Sequence, residues 1–175
     1  HNLPLRSGKG SAYEGGIREP MLVKWPGVIK AGSTCSAPLI IEDFFPTILE
    51  MAGNPNPKTV QTIDGQSFVP LLKGKPTKSS KRSFIWHYPH RWIPQEYPGI
   101  TLFSSIRQGD WKLIYYYKTQ SVELFNLKED IGEQYNLATA QPKLARKMQQ
   151  RLRKQLLSRN AQFPTDKRSG QQVMP

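Results

Sequence analysis

The sequence predicts a mixed α/β chain: a glycine-rich loop with a short strand and a short helix, then a small antiparallel sheet closed by one long helix. Three observations predict it. Glycines crowd the first 20 residues, strand-like segments crowd residues 83 to 127, and a four-residue apolar repeat follows Pro142.

Gly8, Gly10, Gly15 and Gly16 fall inside nine positions, a density unsuited to helix or strand, so residues 1–20 read as a functional loop. Met21-Leu22-Val23-Lys24-Trp25, closed by Pro26-Gly27, reads as a buried strand ending in a turn. Asp43 precedes Phe44-Phe45-Pro46-Thr47-Ile48-Leu49-Glu50-Met51-Ala52 and Gly53, which reads as an N-cap, a first-turn proline and a C-terminal stop around a short helix. Turns dominate from Asn54 to Arg82 around Phe68-Val69-Pro70-Leu71-Leu72, and the Lys/Ser run from Lys73 to Lys81 marks a boundary.

Beyond it, Ser83 to Tyr88, Leu102 to Arg107, Trp111 to Tyr117 and Val122 to Leu127 read as strands, with Gly109-Asp110 as a tight reversal. Pro142 opens a helix in which Leu144, Met148, Leu152 and Leu156 form one apolar stripe, widened by Ala145, to cover a sheet face. Its other face carries Lys143, Arg146, Lys147, Arg151, Arg153, Lys154 and Arg159 without an acid. From Phe163 to Pro175 no period is present, so an extended or mobile tail is expected. The predicted divisions are 1–80, 81–160 and a tail, 161–175.

A chain of 175 residues forms one ordinary domain or two small ones. No apolar run approaches the roughly 20 residues of a membrane helix, and the opening His1-Asn2-Leu3-Pro4-Leu5-Arg6 reads as a piece of something longer. Cys35 is the single cysteine, which excludes an internal disulfide and a cysteine-based metal site. The net charge is +12, and residues 81–175 hold +9 of it. Such a field attracts anions, whether sulfated polysaccharide, nucleic acid or acidic lipid.

Lys9 stands between two glycines, so no neighbouring side chain blocks a small tetrahedral anion from its ammonium. Either this is a sulfate or phosphate contact or a solvated turn; the spacing is not that of a Walker loop. In Trp86-His87-Tyr88-Pro89-His90-Arg91-Trp92, His87 and His90 cannot share a helix face because Pro89 separates them, and no carboxylate is near enough in sequence to complete a metal set before Glu96, so a metal site is rejected. Aromatic faces with polar donors suit a sugar, and a strand end whose histidines satisfy backbone groups suits the same residues. Trp111 and Tyr115-Tyr116-Tyr117 read as packing.

Several of these segments together resemble a known family. Pro4-Leu5-Arg6, Gly8-Lys9-Gly10, Tyr13-Glu14-Gly15-Gly16-Ile17-Arg18-Glu19-Pro20 and Trp25-Pro26-Gly27 look like the stretch that follows the Asp-Asn metal ligands of formylglycine-dependent (type I) sulfatases. Asp43-Phe44-Phe45-Pro46-Thr47-Ile48-Leu49, Ala52-Gly53, Asp64-Gly65 and Leu71-Leu72 are similar to the landmarks that come next. Ser105-Ile106-Arg107, Gly109-Asp110-Trp111-Lys112-Leu113-Ile114, Glu123-Leu124-Phe125-Asn126-Leu127, Glu133 and Asn136-Leu137-Ala138 look like the closing ones. The resemblance runs from about residue 2 to residue 160.

It implies the C-terminal portion of a sulfuric ester hydrolase of alkaline-phosphatase-like α/β fold: the end of the large catalytic domain plus the small C-terminal subdomain. Lys9 matches the family lysine that contacts the sulfate. Glu14 and Arg18 match family positions and read as loop support. His87, His90 and Arg91 are then candidates for the substrate's sugar. The resemblance also implies a formylglycine nucleophile and a calcium ion held by the N-terminal remainder of the protein. Cys35 does not fit the nucleophile, because Ser33-Thr34-Cys35-Ser36-Ala37-Pro38 lacks the proline two positions on and a following arginine. A sulfated carbohydrate or other sulfate monoester is the implied substrate, with no nucleic acid or membrane partner, a periplasmic or secreted location, and no turnover by these residues alone. Two rivals remain: a phosphodiester or phosphonate hydrolase of the same superfamily, and a non-enzymatic basic module that binds polyanions.

Overall fold

The computed structural model describes residues 2–75, 82–91, 97 and 99–175. Two compact units emerge, one of residues 1–19 with 81–175 and one of residues 20–80. The opening loop therefore belongs with the sheet, not to a unit running from 1 to 80.

In the first unit, β1 (Ser83–Tyr88), β2 (Phe103–Gln108), β3 (Trp111–Tyr116) and β4 (Ser121–Asn126) form an antiparallel meander in chain order. Gly109 and Asp110 join the Gln108–Trp111 pair, and a positive φ at Gly109 alone of the two fits a type II′ turn, whose twist matches that of the strands. This turn fixes the register: Ile106 pairs with Leu113 and Arg107 with Lys112.

Helix α4 (Pro142–Leu157) lays Ala145, Met148, Leu152 and Leu156 on the face made by Ile106, Leu113, Tyr115 and Leu124. Each large apolar side chain so buried contributes about 1.5–3 kcal/mol. The tail is not loose. Phe163 is buried in the same cluster, Val173 and Met174 pack on it, and Thr165 bridges to Gln172. An aperiodic segment docks through separate apolar contacts that no period announces.

The opposite face carries Phe103, Ile114 and Phe125, and it is covered by Ala12 and Tyr13 of the opening loop. Both faces of the sheet are thus buried.

In the second unit, a 3₁₀ turn (Ile41–Asp43) leads into α2 (Phe44–Met51), and a further turn of helix, α3, spans Val69–Leu72. Asp43 is not a conventional N-cap, because its backbone is already helical; its carboxylate accepts the Ile40 and Gln66 N–H groups instead. Gly53 ends α2 with φ +87°, and the Asn54 N–H reaching the Leu49 carbonyl completes a Schellman stop. The expected strand at Met21–Trp25 does not form, and Leu22 is 99% exposed. A strand exists only as a pair, and among the described residues of this unit none is present to pair with it.

Candidate active site

The opening loop is shaped by close backbone approaches at two glycines. The Gly15 N–H donates to the Arg6 carbonyl at 3.0 Å, and a Cβ on Gly15 would lie 2.4 Å from that oxygen. A Cβ on Gly16 would lie 2.4 Å from the Ser11 carbonyl. Within this closed base, the Ser11 N–H donates to the Gly8 carbonyl at 3.1 Å, and Gly10 has φ +85°, the pattern of a type II turn. Lys9 occupies the leading corner of that turn. Its side chain is exposed and makes no hydrogen bond or ion pair among the described residues.

Beneath the turn lies a buried ion cluster. Glu14 opens the short helix α1 (Glu14–Ile17), and its carboxylate meets the Lys112 ammonium at 3.0 Å and the Arg107 guanidinium at 3.4 Å. Lys112 also lies 2.9 Å from Glu133, and the Glu14 backbone N–H donates to the other Glu133 oxygen at 2.6 Å. Lys112, Glu14 and Glu133 are all at most 1% exposed. The Arg6 guanidinium donates to the Glu133 carbonyl at 2.7 Å, which ties the loop to the segment after β4 a second time. Glu133 sits at φ +51°, a left-handed conformation costly for a residue with a Cβ and tolerated where surrounding bonds over-determine it. Burial pushes the Glu133 carboxyl above the usual carboxylate range, with the Lys112 charge opposing the shift. Arg18 stands further off, 3.9 Å from Glu14 and about half exposed, so Lys112 and Arg107 are the principal partners of Glu14.

A second clamp holds Tyr13. Its hydroxyl donates to Glu123 at 2.7 Å beside the Tyr116 hydroxyl, which lies 2.8 Å from the same oxygen, and the Arg6 guanidinium covers its ring at 4.0 Å. Burial raises the Tyr13 phenol to about 12 and pushes Tyr116 higher still. The loop is therefore rigid at its base and open at Lys9.

The sequence did not single out Lys112, Glu133, Arg107 or Arg6 as a group. One signal was present. The two-residue reversal puts Arg107 opposite Lys112, and like charges directly across a strand pair require an acid from elsewhere.

His87, His90 and Arg91 are placed differently from one another. The His87 Nε2 donates to the Gln162 carbonyl at 2.7 Å, which leaves Nδ1 to accept from the Ser104 hydroxyl at 2.6 Å. Its ring meets Phe163 edge-on at 5.7 Å. Both ring nitrogens are thus engaged in holding the tail to β1 and β2. His90 is exposed with its ring 4.2 Å from that of Tyr88, and Arg91 is exposed beside it. Trp92 and Glu96 lie outside the described residues. Cys35 is an exposed loop thiol. Among the described residues no three His, Cys, Asp or Glu side chains converge as a metal site would require, so these residues do not fit a calcium ion. None of the described helices is long and apolar enough to cross a membrane.

The profile of the N-sulphoglucosamine sulphohydrolase C-terminal family matches residues 8–162, which include the lysine turn, the ion cluster and the whole sheet. The chain belongs to this family. It is 37% identical to a sulfatase of Formosa agariphila over 92% of its own length and 31% of that protein's. It is 34% identical to human arylsulfatase A, covering 76% of this chain and 28% of that one. The crystal structure of Ps i-CgsB in complex with k-i-k-neocarrahexaose superposes with a TM-score of 0.73 and 28% identity over 89% of this chain and 32% of that one. That of BT4656 in complex with its substrate D-glucosamine-2-N,6-O-disulfate gives a TM-score of 0.61 and 27% identity over 78% and 28%. This sulphohydrolase-family chain thus spans about a third of the length of the relatives it matches. Its fold is the C-terminal part of an alkaline-phosphatase-like sulfatase, represented by the four-stranded sheet and its helix.

Proposed function

We propose that the complete protein hydrolyses sulfate monoesters of a sulfated carbohydrate and that Lys9 contacts the sulfate. The carrying observation is the contrast within one loop: a base locked by Glu14, Lys112 and Glu133, and an exposed ammonium at its tip that no acid among the described residues neutralises. Cleavage of a sulfate monoester builds negative charge on the leaving oxygen. A cation held by a rigid scaffold offsets that charge without reorganising at the moment of reaction. Lys9 binds and orients the ester in this role, and the ion cluster positions Lys9.

The formylglycine nucleophile and the calcium are assigned to further polypeptide, since these residues do not fit either. Leu22 is 99% exposed, Ile41 75% and Ile48 59%, side chains that such further polypeptide would cover. His90 and Arg91 are assigned to the sugar side of the substrate, with His87 as the strut behind them. A periplasmic or extracellular location suits a polymeric substrate of this kind. The relatives with bound saccharides support carbohydrate as the ester's carrier.

The test is turnover by the complete protein on 4-nitrophenyl sulfate, 4-nitrophenyl phosphonate and sulfated oligosaccharides, with residues 1–175 alone as control. Sulfate release by the complete protein and none by the control is expected. Preference for the phosphonate would overturn the reading.

A further inference from the structure

The cations of α4 are exposed. The helix carries Lys143, Arg146, Lys147, Arg151, Arg153 and Lys154 and no acid. Lys143, Lys147 and Arg151 recur at four-residue spacing, so like charges line one edge of the helix, an arrangement that weakens a helix in isolation.

That edge borders a groove. Lys147 and Arg151 line it with Leu144 and Met148 from α4 and with Gln108 and Trp111 from the sheet. Gln108 and Trp111 are the pair that flanks the β2–β3 turn, and the Arg151 guanidinium donates to the Gln108 side-chain oxygen. None of the six lining residues is acidic. An indole and an aliphatic floor beside two cations are what a sulfated sugar needs: an apolar surface for the ring face and charge for the sulfate. Single-stranded nucleic acid would need successive aromatic platforms, and this groove has one.

The geometry points to a second binding site, on the α4 side of the sheet, that takes the chain of a sulfated polysaccharide through Trp111, Lys147 and Arg151. It rests on the proposed carbohydrate substrate. Trp111 packs on the face that α4 covers, while the Lys9 loop covers the other face, so the groove is separate from the lysine turn. A polymer held there raises the local concentration of its esters without touching the bond that breaks.

The test compares the complete protein with its Lys147→Ser/Arg151→Ser variant, both positions being exposed. Heparin, chemically desulfated heparin and duplex DNA serve as binding probes at two salt concentrations, and 4-nitrophenyl sulfate reports turnover. Heparin affinity is expected to fall about tenfold or more, with a shallower salt dependence, while aryl sulfate turnover stays unchanged and Tm falls only by the loss of the Arg151–Gln108 hydrogen bond. Desulfated heparin is expected to bind weakly to both proteins. Unchanged heparin affinity in the variant would overturn the site, as would duplex DNA bound as tightly as heparin and lost equally. Heparin binding lost in the variant, from a parent that turns over no sulfate ester, would retain the groove and remove the sulfatase reading.

Discussion

Lys112 and Glu14 are 98 residues apart in the chain and 3.0 Å apart in the fold, both sealed from solvent. Their contact joins β3 to the loop that carries Lys9, and Glu133 completes it from the far side of Lys112. A lone buried charge is far costlier than a paired one, so each member of the cluster depends on the others.

Lys112→Met is expected to lower stability by about 3–5 kcal/mol, because Glu14 and Glu133 would remain buried without their shared cation. Chemical denaturation of the complete protein checks this, and a loss under about 1 kcal/mol would show that the cluster contributes little. Adding Glu14→Gln and Glu133→Gln to the same variant should recover part of the loss, since neither sealed carboxylate is then charged, and the remainder reflects Arg107 losing its partner.

The Glu133 carboxyl is raised in the folded state by burial. A raised acid contributes stability that is fully present below its unfolded pKa and is lost as pH rises through the folded one. The Tm of the parent relative to Glu133→Gln should therefore fall as pH is raised from about 4 to 8. A difference that is constant, or that grows with pH, would contradict the direction of the shift.

Lys9→Ala in the complete protein is expected to lower kcat about 10²- to 10³-fold, the typical loss for one electrostatic contact in a transition state. Its Tm should not move, since the exposed side chain holds nothing in place. Wild-type turnover would return Lys9 to a solvated turn.

Gly15→Ala should reach the same turn from below. Its Cβ would press on the Arg6 carbonyl at 2.4 Å, so the base of the loop must shift and take Lys9 with it. Reduced kcat together with reduced stability is expected, in contrast to the Lys9 variant, which separates positioning from contact.

His90→Ala and Arg91→Ala should impair a natural sulfated glycan while leaving 4-nitrophenyl sulfate nearly unaffected, as expected of groups that meet only the sugar. His87→Ala should instead raise hydrogen exchange in residues 161–175, because the imidazole bonds the Gln162 carbonyl and packs on Phe163. Unchanged exchange in that tail would remove the strut.

The sequence by itself determined what depends on neighbours along the chain. The Gly109-Asp110 reversal set the strand register, the Leu144, Met148, Leu152, Leu156 stripe set the buried face of α4, and Gly53 set the end of α2, because turn sterics and helical period are local. The flanking glycines likewise marked Lys9 as unencumbered. Only the tertiary structure decided that residues 1–19 join the sheet rather than the segment that follows them, that the tail docks through Phe163, and that Met21–Trp25 finds no strand partner among the described residues. It alone brought Lys112 between Glu14 and Glu133. Desolvation and charge pairing act through space, so the partner that makes a buried lysine tolerable can lie 98 residues away and leaves no periodic mark on the sequence around it.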